Sequence, residues 1–277
     1  GIRNKVGDWN TDATVQRINY KDGLVFTLGN RYPNGAFWEN GSQPWGNGIP
    51  GFGSFIIGNN GVETKTTQVL LSAEKPYTKE SGWAATLAYT YTNTKQNNDN
   101  NDLTDQYAFD QESIDAYPFI PSKVARHRFV ATGSVDGPWD MLYSMKLTLA
   151  TPIPDDGNGC YGFGAPTSAT AVLFPTGSYC TPVGIFPPGN GRFIAGGKIF
   201  GYRSIDLQAT KNFDLTAGLT AYLRVDALNV FNYKNYTDYI ENFGNNGVLN
   251  SNPVVYNTTG NIEGVPRTLK LSVGLRW

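Results

Sequence analysis

The segment Leu269-Lys270-Leu271-Ser272-Val273-Gly274-Leu275-Arg276-Trp277 closes the chain and decides the reading of its fold. Its odd positions are Leu, Leu, Val, Leu and Trp, and its even ones are Lys, Ser, Gly and Arg. Side chains alternate across a strand, so one face here is wholly apolar and the other polar or small. Lys270 and Arg276 cannot face a dry core cheaply. Lipid on one side and a wet lumen on the other satisfy both faces.

The same alternation recurs upstream. Leu219, Ala221, Leu223, Val225 and Ala227 interleave with Thr220, Tyr222, Arg224 and Asp226. Trp83, Ala85, Leu87, Tyr89 and Tyr91 interleave with small residues and Thr, and Trp139 to Leu149 repeats the pattern against Ser144, Lys146 and Thr148. Weaker copies lie at Phe129 to Val135, Ile205 to Ala209 and Val69 to Ala73, and in a first hairpin around Tyr20 and Leu24. The reading is all-β, with about nine antiparallel strands of roughly the length needed to cross a bilayer.

The connections alternate too. Four are short: Tyr20-Lys21-Asp22-Gly23, the turn from Glu74 to Gly82, Asp136 to Asp140, and Phe213 to Thr216. Four are long and rich in Gly, Asn, Pro and Asp, over 31–61, 95–121, 152–198 and 231–264. Outer-membrane barrels have this asymmetry, with tight periplasmic turns and extended extracellular loops. The first ten residues are expected to finish a preceding extracellular loop. Tyr20, Tyr77, Trp83, Trp139, Phe213 and Trp277 fall near the short-turn side and suggest an interfacial aromatic girdle.

Composition agrees. Charged residues make up 16% of the chain, below the quarter usual in soluble domains, and aromatics 13%. A net charge of -1 offers no basic face for nucleic acid, which is not expected as a partner. An odd number of strands would leave two sheet edges unpaired in lipid, which is costly. Residues 1–277 are therefore expected to be one segment of a larger antiparallel transmembrane β-barrel, its C-terminal portion, with no plug domain present.

Arg203-Ser204-Ile205-Asp206-Leu207 with Thr210-Lys211-Asn212-Phe213, then Leu223-Arg224-Val225-Asp226-Ala227-Leu228-Asn229-Val230-Phe231-Asn232-Tyr233, and terminal Trp277 resemble the closing strands of TonB-dependent outer-membrane receptors. Arg126-His127-Arg128-Phe129 and Leu71 to Tyr77 look like the Oar-like subfamily. The resemblance covers most strand regions and little of the loops. It implies a 22-stranded barrel in the bacterial outer membrane, a plug that engages the TonB complex, and energy-coupled uptake of an extracellular ligand. It also identifies Leu269, Leu271, Val273, Leu275 and Trp277 as similar to the signal read by the barrel-assembly machinery. A passive porin-like channel or a surface adhesin barrel without TonB coupling is the alternative.

Aromatics in the long loops, with Trp38, Trp45, Tyr161, Phe174, Tyr179 and Tyr236 as the candidates, could contact a ligand, because exposed rings bury much area at low entropic cost. They could equally pack the loops together. Cys160 and Cys180 sit in one Gly/Pro-rich stretch without zinc-ligand spacing. Paired, they would stabilise by roughly 3 kcal/mol in the chain-entropy model; two free buried thiols are the other reading.

Arg224, Asp226, Lys270 and Arg276 are placed on the lumen face, pairing with one another or with a plug. Asp99, Asp102, Asp105, Asp110, Glu112 and Asp115 form an acidic loop without EF-hand spacing, so calcium is possible there and no metal or cofactor is expected. His127, the single histidine, shares parity with Phe129 and faces lipid; it has no partnered nucleophile, and no enzyme is expected.

Overall fold

Alternating apolar and polar side chains build nine strands that pair strictly in chain order in one antiparallel sheet. They are β1 (Ile2–Val6), β2 (Trp9–Leu28), β3 (Ile56–Lys75), β4 (Trp83–Gln96), β5 (His127–Gly137), β6 (Met141–Ala150), β7 (Tyr202–Thr216), β8 (Leu219–Leu228) and β9 (Thr268–Arg276). A two-residue strand, Ile120–Pro121, adds to the far end of β4. This computed structural model describes residues 1–28, 56–97, 119–122, 124–153, 155–161, 179–185, 194–195, 198–199, 201–216, 218–237, 239–240, 255–256 and 258–277.

The register carries each face unbroken across the sheet. Thr86 stands opposite Thr132, Thr132 opposite Lys146, and Lys146 opposite Asp206. One residue along, Leu87, Ala131, Leu147 and Ile205 form the matching apolar row. A one-residue slip in any pair would send its apolar set to the wrong side, so the alternation itself specifies the pairing. The polar face is the concave one. A hollow of about 440 Å³ opens on it, spanning β4 to β8 and lined by Thr86, Thr132, Ser134, Lys146, Asp206 and Asp226 among others.

Burial is inverted relative to a soluble domain. Among the described residues one apolar side chain, Ala150, is buried, against eleven polar or charged ones including Gln96, Asn229 and Asp226. Leu269, Leu271, Val273 and Leu275 stand exposed on the convex face, as do Val15, Leu71, Leu87, Leu207 and Leu223. A single layer with apolar side chains outward and hydrogen-bonded polar groups inward has no dry core to lose. It needs an apolar solvent outside.

The nine-strand count stands, but its membership changes at the N-terminus. Residues Tyr20 to Gly23 are not a turn: β2 runs through them as a bulge, with register shifts between Tyr20 and Gly23 and between Gly23 and Leu24. Asp22 adopts φ 59° there. A left-handed residue plus a glycine can absorb extra residues inside a strand as readily as reverse it. The reversal lies earlier, at Gly7 and Asp8, where Gly7 has φ 59° and Val6 pairs with Trp9. The first ten residues therefore supply β1, a two-residue turn and the start of β2, and do not finish a loop. Tyr20 consequently sits opposite Thr64, far from the short turns, while Trp9 joins Trp83 at that end with ring centroids 6.1 Å apart.

Two of the remaining short connections lie close to expectation, Pro76 to Gly82 and a 3-10 turn at Pro138–Asp140. Phe213 to Thr216 are not a turn: they belong to β7, with Phe213 opposite Ala221 and Asp214 opposite Thr220, and the chain reverses between Thr216 and Leu219. The strands reach further into the long connections than the sequence suggested, and β2 and β3 are 20 residues each, well beyond the roughly 9–11 that cross a bilayer. The long connections also contain hairpin pairs of their own, Asp155–Tyr161 with Tyr179–Ile185, and Asn235–Tyr236 with Ile262–Glu263. Among the described residues, β1 and β9 each have one partner, so the sheet has two open edges.

Candidate functional site

The concave wall is the feature with chemistry. Its positions come from the even-numbered residues of β4 to β9, turned inward because their odd-numbered neighbours are apolar. Asp226, buried, accepts hydrogen bonds from Gln208 Nε2 at 2.6 Å and Arg224 Nε at 3.1 Å. Asp206 Oδ1 accepts from the Ser204 hydroxyl at 2.9 Å and from the Asn229 backbone N–H at 2.8 Å. Between these carboxylates and the β5 hydroxyls stands Lys146, exposed, opposite both Thr132 and Asp206 and without an ion pair among the described residues. Further round, Gln16 donates to Gln68, Gln68 Nε2 to Thr92 Oγ1 at 3.3 Å, and the Thr66 and Thr94 hydroxyls meet at 3.0 Å.

Of the four lumen charges named from sequence, Arg224 and Asp226 pair directly. Lys270 lies opposite Asp226 in register and makes no ion pair among the described residues. Arg276 packs its guanidinium 5.2 Å from the Tyr222 ring centroid, near the short-turn end. Lys146, Asp206 and Gln208 were missed as a group. Their alternation was visible, but only the cross-strand register brings them together with Asp226.

The base of the last long connection is held by side-chain amides, of which Asn229 and Asn235 are buried. Asn229, with φ 46°, donates through Nδ2 to the Tyr233 and Val265 carbonyls, both at 3.0 Å, and accepts the Tyr233 N–H at 2.9 Å. Asn235 accepts the Arg203 N–H at 2.9 Å and donates to the Arg203 carbonyl at 3.0 Å. Asn232, also at positive φ, accepts the Arg267 N–H at 3.2 Å. The Asn-Val-Phe-Asn motif thus works as a clamp: two asparagines that tolerate left-handed backbone tie the ends of β7, β8 and β9 together.

The opposite rim is tied differently. Lys75, buried, donates to the Ser81 hydroxyl at 2.8 Å and the Trp83 carbonyl at 3.2 Å, with its ammonium 4.2 Å from the Trp83 ring centroid. Tyr77 donates its hydroxyl to Asp136 at 2.6 Å, docking the Pro76–Gly82 turn onto β5. That bond to the Asp136 carboxylate holds the Tyr77 hydroxyl protonated above its ordinary range.

The other sequence candidates scatter. Trp38, Trp45, Phe174 and the acidic run from Asp99 to Asp115 lie outside the described residues. Tyr161 and Tyr179 stand opposite each other, as do Cys160 and Cys180, in the backbone register of one hairpin. Tyr236 is half-buried in the short strand paired with Ile262. His127 stands on the convex face, its Nδ1 2.7 Å from the Tyr89 hydroxyl and its ring stacked near those of Tyr89 and Tyr91. Leu269 to Leu275 form the outward face of β9, and Trp277 extends beyond it, almost wholly exposed. Among the described residues no group of three or more His, Cys, Asp or Glu could hold a metal ion.

No protein-family profile and no curated protein matches the sequence. Among solved structures, the chain is similar to the outer membrane transporter YddB from Escherichia coli, with a TM-score of 0.50 at 11% identity, over 99% of this chain and 30% of that one. A second match is FpvA of P. aeruginosa, from a complex with a heterologous pyoverdine and iron, with a TM-score of 0.44 at 14% identity, over 98% of this chain and 25% of that one. The chain spans under a third of the length of either. At such identity the likeness to YddB speaks for the fold alone: an antiparallel β-barrel wall.

Proposed function

We propose that this chain is part of the barrel of an outer-membrane TonB-dependent receptor, of the Oar-like subfamily, that takes up a ligand by energy coupling. The observation that carries this reading is the two-faced sheet: nine consecutive strands with a polar, hydrogen-bonded concave wall and an apolar convex one. That arrangement suits a water-filled passage through lipid, and the fold likeness to a transporter supports it. In this reading the short turns face the periplasm, and the long connections capture ligand through Trp38, Trp45, Tyr161, Phe174, Tyr179 and Tyr236. A Cys160–Cys180 bond, for which the backbone register supplies suitable opposition, staples one of those hairpins. Lys146, Lys270 and the Arg224–Asp226 pair face a plug carried elsewhere in the protein, and β9 is read by the barrel-assembly machinery.

The test is the native protein extracted with detergent from outer membranes, followed by intact mass and N-terminal sequencing. A species far heavier than 30.3 kDa, with a plug and a TonB-contacting segment ahead of Gly1, is the expected result. A mature species of about this chain's own mass would sink energy-coupled uptake.

A further inference from the structure

Three cations stand together on the convex face just where its apolar band ends. Val15, Val69 and Tyr91 share one convex rung of β2, β3 and β4. The next convex rung is Arg17, Thr67 and Asn93, and the one beyond it is Asn19, Lys65 and Lys95. Lys65 and Lys95 are directly opposite each other, a placement that brings Cβ atoms to about 5 Å and is destabilising for like charges. Arg17 is the diagonal neighbour of Lys65, two strands from Lys95. All three are exposed.

Among the described residues Glu63 is the single acid in contact, 3.2 Å from Lys65 Nζ, and the Phe119 ring lies 3.7 Å from the same ammonium. Arg17 and Lys95 have no anionic partner among the described residues. On the concave face of the same sheet, by contrast, Arg224 is bonded to Asp226. A basic triad with one acidic contact among the described residues, at the edge of an apolar band, has the chemistry of a headgroup site. A phosphate there would be contacted by charge-assisted donors from Arg17, Lys65 and Lys95 while its acyl chains lie along Val15, Val69 and Leu71.

We propose that Arg17, Lys65 and Lys95 bind the phosphate of a lipid headgroup in the surface-facing leaflet. The site rests on the membrane reading above. Long basic side chains also reach for water from an apolar surface without binding anything, and the experiment separates that case.

Full-length protein is placed in phosphatidylcholine nanodiscs containing either bis-phosphorylated lipid A or the same lipid stripped of its phosphates. Lipid retained on gentle release is counted by native mass spectrometry. The wild type is expected to retain the phosphorylated form about ten-fold better or more, and an Arg17→Gln/Lys65→Gln/Lys95→Gln variant to lose that preference. Heat-dependent gel mobility checks that the variant is folded; it removes a like-charge contact together with the exposed Lys65–Glu63 pair, which is worth little, so its midpoint in phosphate-free discs should not fall. Lys95→Gln alone, expected to lose part of the preference, serves if the triple variant misfolds. Equal retention of the two lipids by the wild type, or an unchanged preference in a folded variant, overturns the site and leaves the membrane reading intact. Failure of the wild type to enter discs of either composition overturns both.

Discussion

The two faces of β8 and β9 are made by neighbouring residues and hold together by opposite physics. On the convex side Val225 stands opposite Leu271 and Ala227 opposite Leu269, with Leu269 and Leu271 76% and 66% exposed. On the concave side Asp226 is buried beneath Gln208 and Arg224. The apolar face contributes nothing until a lipid-like solvent covers it, and then it contributes by transfer of area from water. The concave face contributes through hydrogen bonds that must each be satisfied. A residue moved by one position changes from one regime to the other, so neighbouring substitutions should have unlike consequences.

The largest contrast is expected between Leu271→Arg and Ser272→Arg. An arginine near mid-wall on the lipid side should cost about 2–4 kcal/mol in unfolding from bilayers, while the same residue facing the lumen should cost under about 1 kcal/mol. Urea unfolding in lipid vesicles, followed by tryptophan fluorescence, measures both. Equal costs would mean that the two sides are not lipid and water.

A smaller effect sharpens the concave side. Asp226→Ala leaves Gln208 without its acceptor and Arg224 without its partner, and should destabilise by about 1–2 kcal/mol, since Arg224 retains contact with solvent. Asp226→Asn should recover part of this, because an amide oxygen still accepts from Gln208. A loss confined to Asp226→Ala identifies the hydrogen bonds as the cause; equal losses would identify the charge.

The smallest effect lies at the short-turn rim, where both faces end. Tyr77 has its ionisation raised because its hydroxyl donates to Asp136, so that bond is intact below the unfolded tyrosine value of about 10 and is lost as pH rises through the higher folded value. Amide hydrogen exchange in the Pro76–Gly82 turn, corrected for the intrinsic rate, should therefore rise above about pH 10 in the wild type. In Tyr77→Phe it should be raised already at neutral pH and flat thereafter. A wild type that shows no such rise would mean that the backbone bond from Asp136 N–H to Gly82, at 2.8 Å, holds the turn unaided.

Strand existence was legible because a period of two is a local property. Leu269 to Trp277 and Leu219 to Ala227 could be assigned, face by face, from the letters alone. The N-terminus was not, because Lys21-Asp22-Gly23 has turn composition whether it reverses the chain or bulges within a strand. Only the pairing of Tyr20 with Thr64 and Leu24 with Asn60 distinguishes the two. The true reversal, Gly7-Asp8, carried a usable signal that was passed over: a Gly-Asp pair between strand-like runs.

For the strands it revealed, the sequence by itself determined which side is apolar and which polar, because side-chain polarity and the two-residue period need no partner to be read. It did not determine which polar residues become neighbours. Asp226 with Gln208, and Lys65 with Lys95, are 18 and 30 residues apart in the chain and meet only through register. Asn229 looked like part of a family motif; its role as a clamp on the Tyr233 and Val265 carbonyls exists only once β9 returns beside β8. Long-range hydrogen bonds depend on where distant strands stop against each other. That is set by the sum of all rungs in the sheet, and no local stretch of letters contains it.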